Sequence, residues 1–381
     1  MTLDALGRYE TTLAWLGRKG RRRALAPQHG VDFTSNDYLA LADSPRLKAA
    51  IAAAIDRGVP VGAGGSRLLR GNHLEHEALE TEAAELFGTD RALFFGSGYT
   101  ANVALFSTLP QRADIIVHDE LIHASAHEGI AVSKAAAVAV RHNDADAFAD
   151  AIRKWRGAGG TGHPWIAVES LYSMDGDRAP LEALADLAGQ HDGFLVIDEA
   201  HATGVFGPGG RGFSASLEDR ENVIVLHTCG KALGVSGALL GANAILCDYL
   251  INRARGFIYS TAPSPLTAAA VREALRMLAD EPQRRVEFDE LRAFANAALV
   301  ASLGVEDSGS QILPVMIGDN AKAVRIAARL RAEGFDIRAI RPPTVPEGTA
   351  RLRIAITLHV DRSAIAEMLE SLKIAIAEEQ P

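Results

Sequence analysis

The chain holds 381 residues and only 2 cysteines, Cys229 and Cys247. Two thiols build neither a disulfide framework nor a four-thiolate metal site, so a reduced, cytoplasmic chain fits. A basic excess is also missing. The balance of 39 Lys+Arg against 48 Asp+Glu leaves a formal net charge of −9. That argues against nucleic acid as a partner, which usually demands a basic stripe. Membrane spans are missing too. Two stretches that lack charge for long enough to check are Ala92 to Gln111 and Ala232 to Cys247. The first contains Gly96, Ser97, Gly98, Asn102 and Pro110, the second is short and rich in glycine, and neither reads as a span. The start, Met1-Thr2-Leu3-Asp4, lacks a basic segment followed by an apolar run and reads as no signal peptide. Repeats and low-complexity linkers are absent; 35 Gly and 15 Pro in 381 residues stay well below the biased range.

What is present is an ordinary globular composition, with 48% hydrophobic and 23% charged residues. The length predicts one large or two linked domains and a sizeable core. Short apolar runs alternate with amphipathic stretches. Strands are expected at Arg91-Phe95, Asp114-His118, Ala136-Val140, Trp165-Glu169, Phe194-Asp198 and Val223-Thr228. Helix-like stretches such as Leu181 to Gln190 lie between them. This pattern predicts an α/β fold, a mostly parallel sheet with helices on both faces. From 264 to 302 the chain reads as one long or broken helix. Gln311-Ile317, a helix near 320–333, a strand near 335–340, Arg351-Ile356 and a helix over 361–378 then predict a smaller α/β domain. The expected division is a segment over 1–40, a large domain over 41–263 and a small domain over 264–381. The first 40 residues are too short for a core and are expected to pack across the rest or across a partner chain.

Three motifs invite readings that the remainder of the chain does not support. Gly96-Ser97-Gly98-Tyr99-Thr100-Ala101 follows a strand and opens a helix, and Asp119 lies 21 residues beyond Gly98. That is the layout of a dinucleotide fingerprint, but its physical content is only a glycine turn that can hold a phosphate. Asp198-Glu199-Ala200-His201 spells a helicase-type nucleotide box. Its partner loop is missing, because the only Gly-Lys pair, Gly230-Lys231, has no glycine five residues earlier. His123 and His127 stand at helical zinc spacing, with His118, His73 and His76 elsewhere, but no H-E-x-x-H string or cysteine set accompanies them. No metal is expected.

Ligands of an open α/β sheet bind beyond the carboxyl ends of its strands. There the sequence places Gly98 and Tyr99, His123, Ser173, Asp198 with His201, and Thr228 with Lys231. This set fits pyridoxal phosphate. Lys231 supplies the amine, and burial in a small apolar turn would favour its neutral, nucleophilic form. Asp198 supplies the anion that keeps the pyridine nitrogen protonated. His201 reaches the ring hydroxyl, His123 stacks on the ring, and Gly98, Tyr99 and Thr228 offer donors to the phosphate. A lone lysine or aspartate after a strand is more often a surface group or a helix cap. The pairing of Asp-x-x-His with Thr-x-x-Lys, both at strand ends, is much harder to obtain by chance.

The chain resembles the α-oxoamine synthase family of pyridoxal-phosphate enzymes. The strings that carry the resemblance are Phe33-Thr34-Ser35-Asn36-Asp37-Tyr38-Leu39, Gly62-Ala63-Gly64-Gly65-Ser66-Arg67 and Glu169-Ser170-Leu171-Tyr172-Ser173-Met174-Asp175-Gly176-Asp177. Ile197-Asp198-Glu199-Ala200-His201-Ala202-Thr203-Gly204, Thr228-Cys229-Gly230-Lys231-Ala232 and Ile258-Tyr259-Ser260-Thr261 follow in order. The resemblance implies a fold type I transferase, with a mostly parallel seven-stranded sheet and a smaller C-terminal α/β domain. It implies that Lys231, Asp198 and His123 are catalytic and that Gly98, Tyr99, Ser173, His201 and Thr228 bind the cofactor. Arg353 would hold the amino-acid carboxylate. Thr344 and one of Arg21, Arg22 and Arg23 match substrate-contact positions. In a homodimer with the active site between subunits, Asn36, Ser260 and Thr261 would serve the partner's site. The string from Ile340 to Arg353 is most similar to members that condense L-alanine with a pimeloyl thioester, releasing CO2 and CoA. Relatives that use glycine or serine share the same core, and a nicotinamide dehydrogenase using the 96–101 turn is the reading from outside the family.

Overall fold

A computed structural model describes residues 4–379; the N-terminal reading at Met1-Thr2-Leu3 lies outside them. The chain forms two compact units. The larger comprises Leu39–Ser173 and Arg178–Val286, and the smaller comprises the segment up to Tyr38, Met174–Asp177 and the chain from Glu287 onward. Among the described residues no helix is long and apolar enough to cross a membrane.

The larger unit is built on seven strands: β1 (Arg91–Phe95), β2 (Ile115–Asp119), β3 (Ala136–Val140), β4 (Pro164–Glu169), β5 (Phe194–Asp198), β6 (Val223–Thr228) and β7 (Ala238–Ala242). Their spatial order is β1-β7-β6-β5-β4-β2-β3. β7 runs antiparallel to β1 and β6, and every other pairing is parallel. The central strands are apolar throughout because both faces are covered. Alternate residues feed opposite cores, as the two-residue period of a strand requires. Ile116, Val196 and Ile224 join Leu105, Phe106 and Leu240 on one face. Val117, Ile197 and Val225 join Phe148, Leu184 and Leu217 on the other.

The strands expected at 91–95, 136–140, 194–198 and 223–228 have these bounds. The second strand starts one residue later than expected. Asp114 lies in a turn, where its carboxylate accepts from the Gln111 and His163 amides and from Trp165 Nε1. β7 is cut from the glycine-rich, charge-free stretch, and its small residues hide its period. The helix expected over 264–302 is broken at Glu281, and Pro282 opens the second piece. Its first piece, Pro265–Asp280, packs on helices Leu74–Phe87 and Pro45–Asp56. Residues 264–286 therefore fall in the larger unit, unlike the expected division at 263/264.

The smaller unit has an antiparallel sheet of Arg338–Ile340, Ala350–Ala355 and Ile312–Gly318. Phe33, Leu313, Leu352, Ile354, Ile365 and Leu372 are among its core. Its N-terminal part is docked by a short parallel pairing of Val31–Asp32 with Phe335–Asp336. Helix Gly7–Arg18, by contrast, buries none of its residues in the single chain.

Candidate active site

The carboxyl ends of the strands gather the groups that the sequence singled out in the larger unit. β5 ends at Asp198, which is nearly buried. One of its oxygens accepts from the Ala200 amide at 3.0 Å and the other from Asn102 Nδ2 at 2.8 Å. His201 follows three residues on, also buried, and its Nε2 lies 2.6 Å from Lys231 Nζ. Lys231 sits in the turn between β6 and β7. Gly234 shapes that turn with φ of +65°, and a Cβ there would stand 2.4 Å from the Ala42 backbone nitrogen. Such a position needs glycine both for its left-handed backbone and for the close approach. The aspartate, the histidine and the lysine are thus one cluster.

Helix Gly98–Thr108 opens directly after β1. Its cap uses Ser97 Oγ on the Thr100 amide, and Ala101 donates to the Ser97 carbonyl. The amides of Gly98 and Tyr99 come first at the positive helix end, where an anion is favoured. A Cβ at Gly98 would lie 3.6 Å from Thr228 Oγ1, so that hydroxyl stands beside the helix mouth. His123 caps the next helix, Ala124–Ala131. Burial pushes its imidazole below the ordinary range, opposed by the Asp198 charge and reinforced by Lys231. The Tyr99 ring meets it edge-on with centroids 6.4 Å apart, and the Tyr99 hydroxyl donates to Glu128. Ser173, after β4, gives its backbone amide to the carboxyl of Glu169. Ser260 and Thr261 are exposed in the single chain. The adjoining segment is held by Ala262 N–H on the Gly65 carbonyl and by the buried His76, whose Nε2 lies 2.9 Å from the Pro263 carbonyl.

The remaining expected residues belong to the smaller unit. Arg353, on a buried strand, donates through Nη2 to Asn36 Oδ1 at 3.0 Å. Of the three candidate arginines, Arg23 donates to Thr344 Oγ1 at 3.0 Å, while Arg21 pairs with Glu347. Three polar residues around the cluster have no role assigned from the sequence: Asn102, Ser125 and Glu169. Asn102 had left one trace, a polar residue inside the charge-free stretch from Ala92 to Gln111.

The rival motifs are occupied by structural bonds. The Asp119 carboxylate is fully buried and accepts from the amides of Leu121 and Asn143, with His142 Nδ1 at 2.9 Å. It is closed to a ribose hydroxyl. Glu199 accepts from Ser170 Oγ at 2.7 Å and from the Ser214 amide. His118 Nδ1 donates to the Asp119 carbonyl, and His76 bridges the His73 amide and Pro263.

Amine, carboxylate, imidazole, helix mouth and hydroxyl are the complement of pyridoxal phosphate: a Schiff-base amine, an anion for the ring nitrogen, a flat ring and phosphate donors. The comparisons agree. The family described as Aminotransferase class I and II matches residues 28–372. The chain belongs to this family. An 8-amino-7-oxononanoate synthase of Anaeromyxobacter dehalogenans is 40% identical, covering 100% of this chain and 98% of the relative. A serine palmitoyltransferase from S. paucimobilis, solved with bound PLP-myriocin, superposes with a TM-score of 0.87 at 25% identity, covering 98% of each chain. An 8-amino-7-oxononanoate synthase from Francisella tularensis superposes with a TM-score of 0.76 at 28% identity, over 92% of this chain and 98% of its own. As in other class I and II aminotransferase-fold proteins of this kind, the seven-stranded sheet is the frame of a cofactor site.

Proposed function

We propose that this chain catalyses the decarboxylative condensation of L-alanine with a pimeloyl thioester, the 8-amino-7-oxononanoate synthase reaction of biotin biosynthesis. The observation that carries the chemistry is the cluster of Lys231, His201 and Asp198 at adjacent strand ends. The full-length similarity to 8-amino-7-oxononanoate synthases carries the substrates. When bound, pyridoxal phosphate stores the electron pair left as the substrate's Cα–H bond breaks. Lys231 holds the cofactor and then takes the Cα proton and returns one after CO2 departs. Asp198 holds the ring nitrogen protonated. His201 would donate to the ring hydroxyl, His123 would cover the ring, and Ser173 would contact the cofactor. The amides of Gly98 and Tyr99, with Thr228, hold the phosphate.

Arg353 is proposed to fix the substrate carboxylate by a forked pair of N–H bonds. Thr344 and an arginine of the 21–23 run are proposed to meet the acyl substrate. Asn36, Ser260 and Thr261 are proposed to serve a second copy's site in a cytoplasmic homodimer. The exposed apolar side chains near Ser260 support that assembly: Val61, Leu69 and Tyr259 are 75%, 80% and 76% exposed. The 61–65 segment is tied to the one after Thr261 by Ser264 Oγ on the Val61 carbonyl.

The test is the visible spectrum of the purified protein with pyridoxal phosphate, titrated with alanine, glycine or serine. A yellow band that borohydride bleaches, and that alanine perturbs at the lowest concentration, is expected. A band that answers better to glycine or serine would keep the family and discard the substrate. No band at all would overturn the reading.

A further inference from the structure

Asn102 lies in helix Gly98–Thr108, one turn beyond the glycine at its mouth, and is 2% exposed. Its neighbours fix how it is used. The Asp198 carboxylate accepts only, so the carboxamide nitrogen faces it, at 2.8 Å. The same nitrogen lies 3.0 Å from Ser125 Oγ, which therefore accepts as well. Ser125 is fully buried, and its hydroxyl proton goes to His123 Nδ1 at 2.7 Å. The Ser125 amide donates to that same Nδ1 at 3.2 Å, so Nδ1 carries no proton and the neutral ring holds its hydrogen on Nε2. One carboxamide thus ties β5 to two helices. The helices are brought within reach by Gly129, where a Cβ would stand 2.9 Å from the Asn102 carbonyl oxygen and 3.0 Å from Phe106.

We propose that Asn102 and Ser125 are positioning residues that hold Asp198 and His123, the partner of the ring nitrogen and the group over the ring face, in one fixed arrangement. The inference rests on the pyridoxal-phosphate reading above. Asn102 sets the carboxylate oxygen that meets the ring nitrogen. Ser125 sets the tautomer and tilt of His123. The charges that act on His123 are those of Asp198, of Lys231 after β6 and of His127 on its own helix, and Glu169 on β4 faces the Asp198 charge. Asn102 and Ser125 carry no charge at any pH, so they hold the geometry without adding a titration.

Full-length protein loaded with pyridoxal phosphate tests this in three variants: Asn102→Ala, Asn102→Asp and Ser125→Ala. Two quantities are read: the exchange of the alanine Cα hydrogen in heavy water without thioester, and the pH midpoint of the visible band. Asn102→Ala is expected to keep the borohydride-fixable cofactor, to slow exchange about 10- to 100-fold, and to move the midpoint, with KM for alanine little changed. Asn102→Asp keeps the shape but places a second carboxyl against Asp198. It is expected to donate only while protonated and so to add a pH step to the exchange rate that the wild type lacks. Ser125→Ala is expected to slow exchange while leaving the midpoint near the wild-type value, because Asn102 still holds Asp198. The proposal is overturned if the Asn102 variants match the wild type in exchange and midpoint, or if the whole effect is a lowered Tm. Should Asn102→Ala not fold, the near-isosteric Asn102→Asp and Ser125→Ala decide by the same criteria. A wild type that exchanges alanine normally beside indifferent variants sinks this inference alone. A wild type that takes up no pyridoxal phosphate sinks the functional reading, and this inference with it.

Discussion

Glu169 is the buried residue with the most direct pH consequence. It stands at the end of β4 in register with Asp198 on β5, and its Oε1 has no hydrogen-bond partner. Burial first, and then the Asp198 charge, push its carboxyl up to about 8 from an ordinary 4.5. Below the ordinary value both folded and unfolded chains carry the proton, and folding loses nothing. Between the two values the unfolded chain releases a proton that the folded protein retains, so this group's contribution to stability declines as pH rises towards about 8. In cofactor-free protein, Tm of the wild type is expected to fall across that window by several degrees more than Tm of Glu169→Gln. Parallel Tm profiles for the two proteins would refute the assignment. At this scale the site was legible wherever a polar residue ends an apolar run, as Asp198 and Thr228 do. Asn102 and Ser125 were not legible. Asn102 reaches Asp198 and Ser125 across 96 and 23 residues, and such contacts leave no spacing in the sequence.

At the scale of elements, the ends of β5 and β6 are locked together by a buried polar network. Thr203 Oγ1 donates to the Glu199 carbonyl and lies 2.9 Å from His227 Nδ1 on β6. His227 Nε2 lies 3.1 Å from Glu218 Oε2, and Phe87 stacks on the ring at 3.6 Å. Asp198 and Lys231 emerge from the two strands so fixed. Removing one partner of a buried pair leaves the other unsatisfied, which costs about 3–5 kcal/mol. Glu218→Ala is therefore expected to lose stability of that order in denaturant unfolding, with weaker cofactor retention. A loss below about 1 kcal/mol would show that the network is dispensable. Strands buried on both faces were readable as apolar runs. β7 was not, because Ala238-Leu239-Leu240-Gly241-Ala242 has neither alternation nor β-branched residues. The break at Glu281 was half-readable: the apolar pattern continues across it, and Pro282 is tolerated in the first turn of the second helix.

For the whole molecule, the single chain leaves both the Gly7–Arg18 helix and the Ser260-Thr261 segment uncovered. A homodimer with shared sites makes a quantitative prediction. Mixing Lys231→Ala protein with Ser260→Ala/Thr261→Ala protein, each inactive alone, reconstitutes one intact site in each mixed dimer. Random reassortment is then expected to restore about a quarter of the wild-type activity. No recovery after verified subunit exchange would place Ser260 and Thr261 outside a shared site. The family was legible along nearly the whole chain, because its motifs sit at strand ends and turns. The assembly was not, since an apolar side chain reads alike whether it faces a core or a second copy.

Lys231 is proposed to carry the cofactor for an alanine-dependent condensation. The most direct measurement combines borohydride reduction of the loaded protein, peptide mass mapping, and product analysis with 13C-labelled L-alanine and pimeloyl-CoA. A pyridoxyl phosphate mass is expected on the peptide containing Lys231, with labelled 8-amino-7-oxononanoate formed in step with CO2 and CoA. A label on another lysine, or CoA release that follows glycine or serine and ignores alanine, would contradict it.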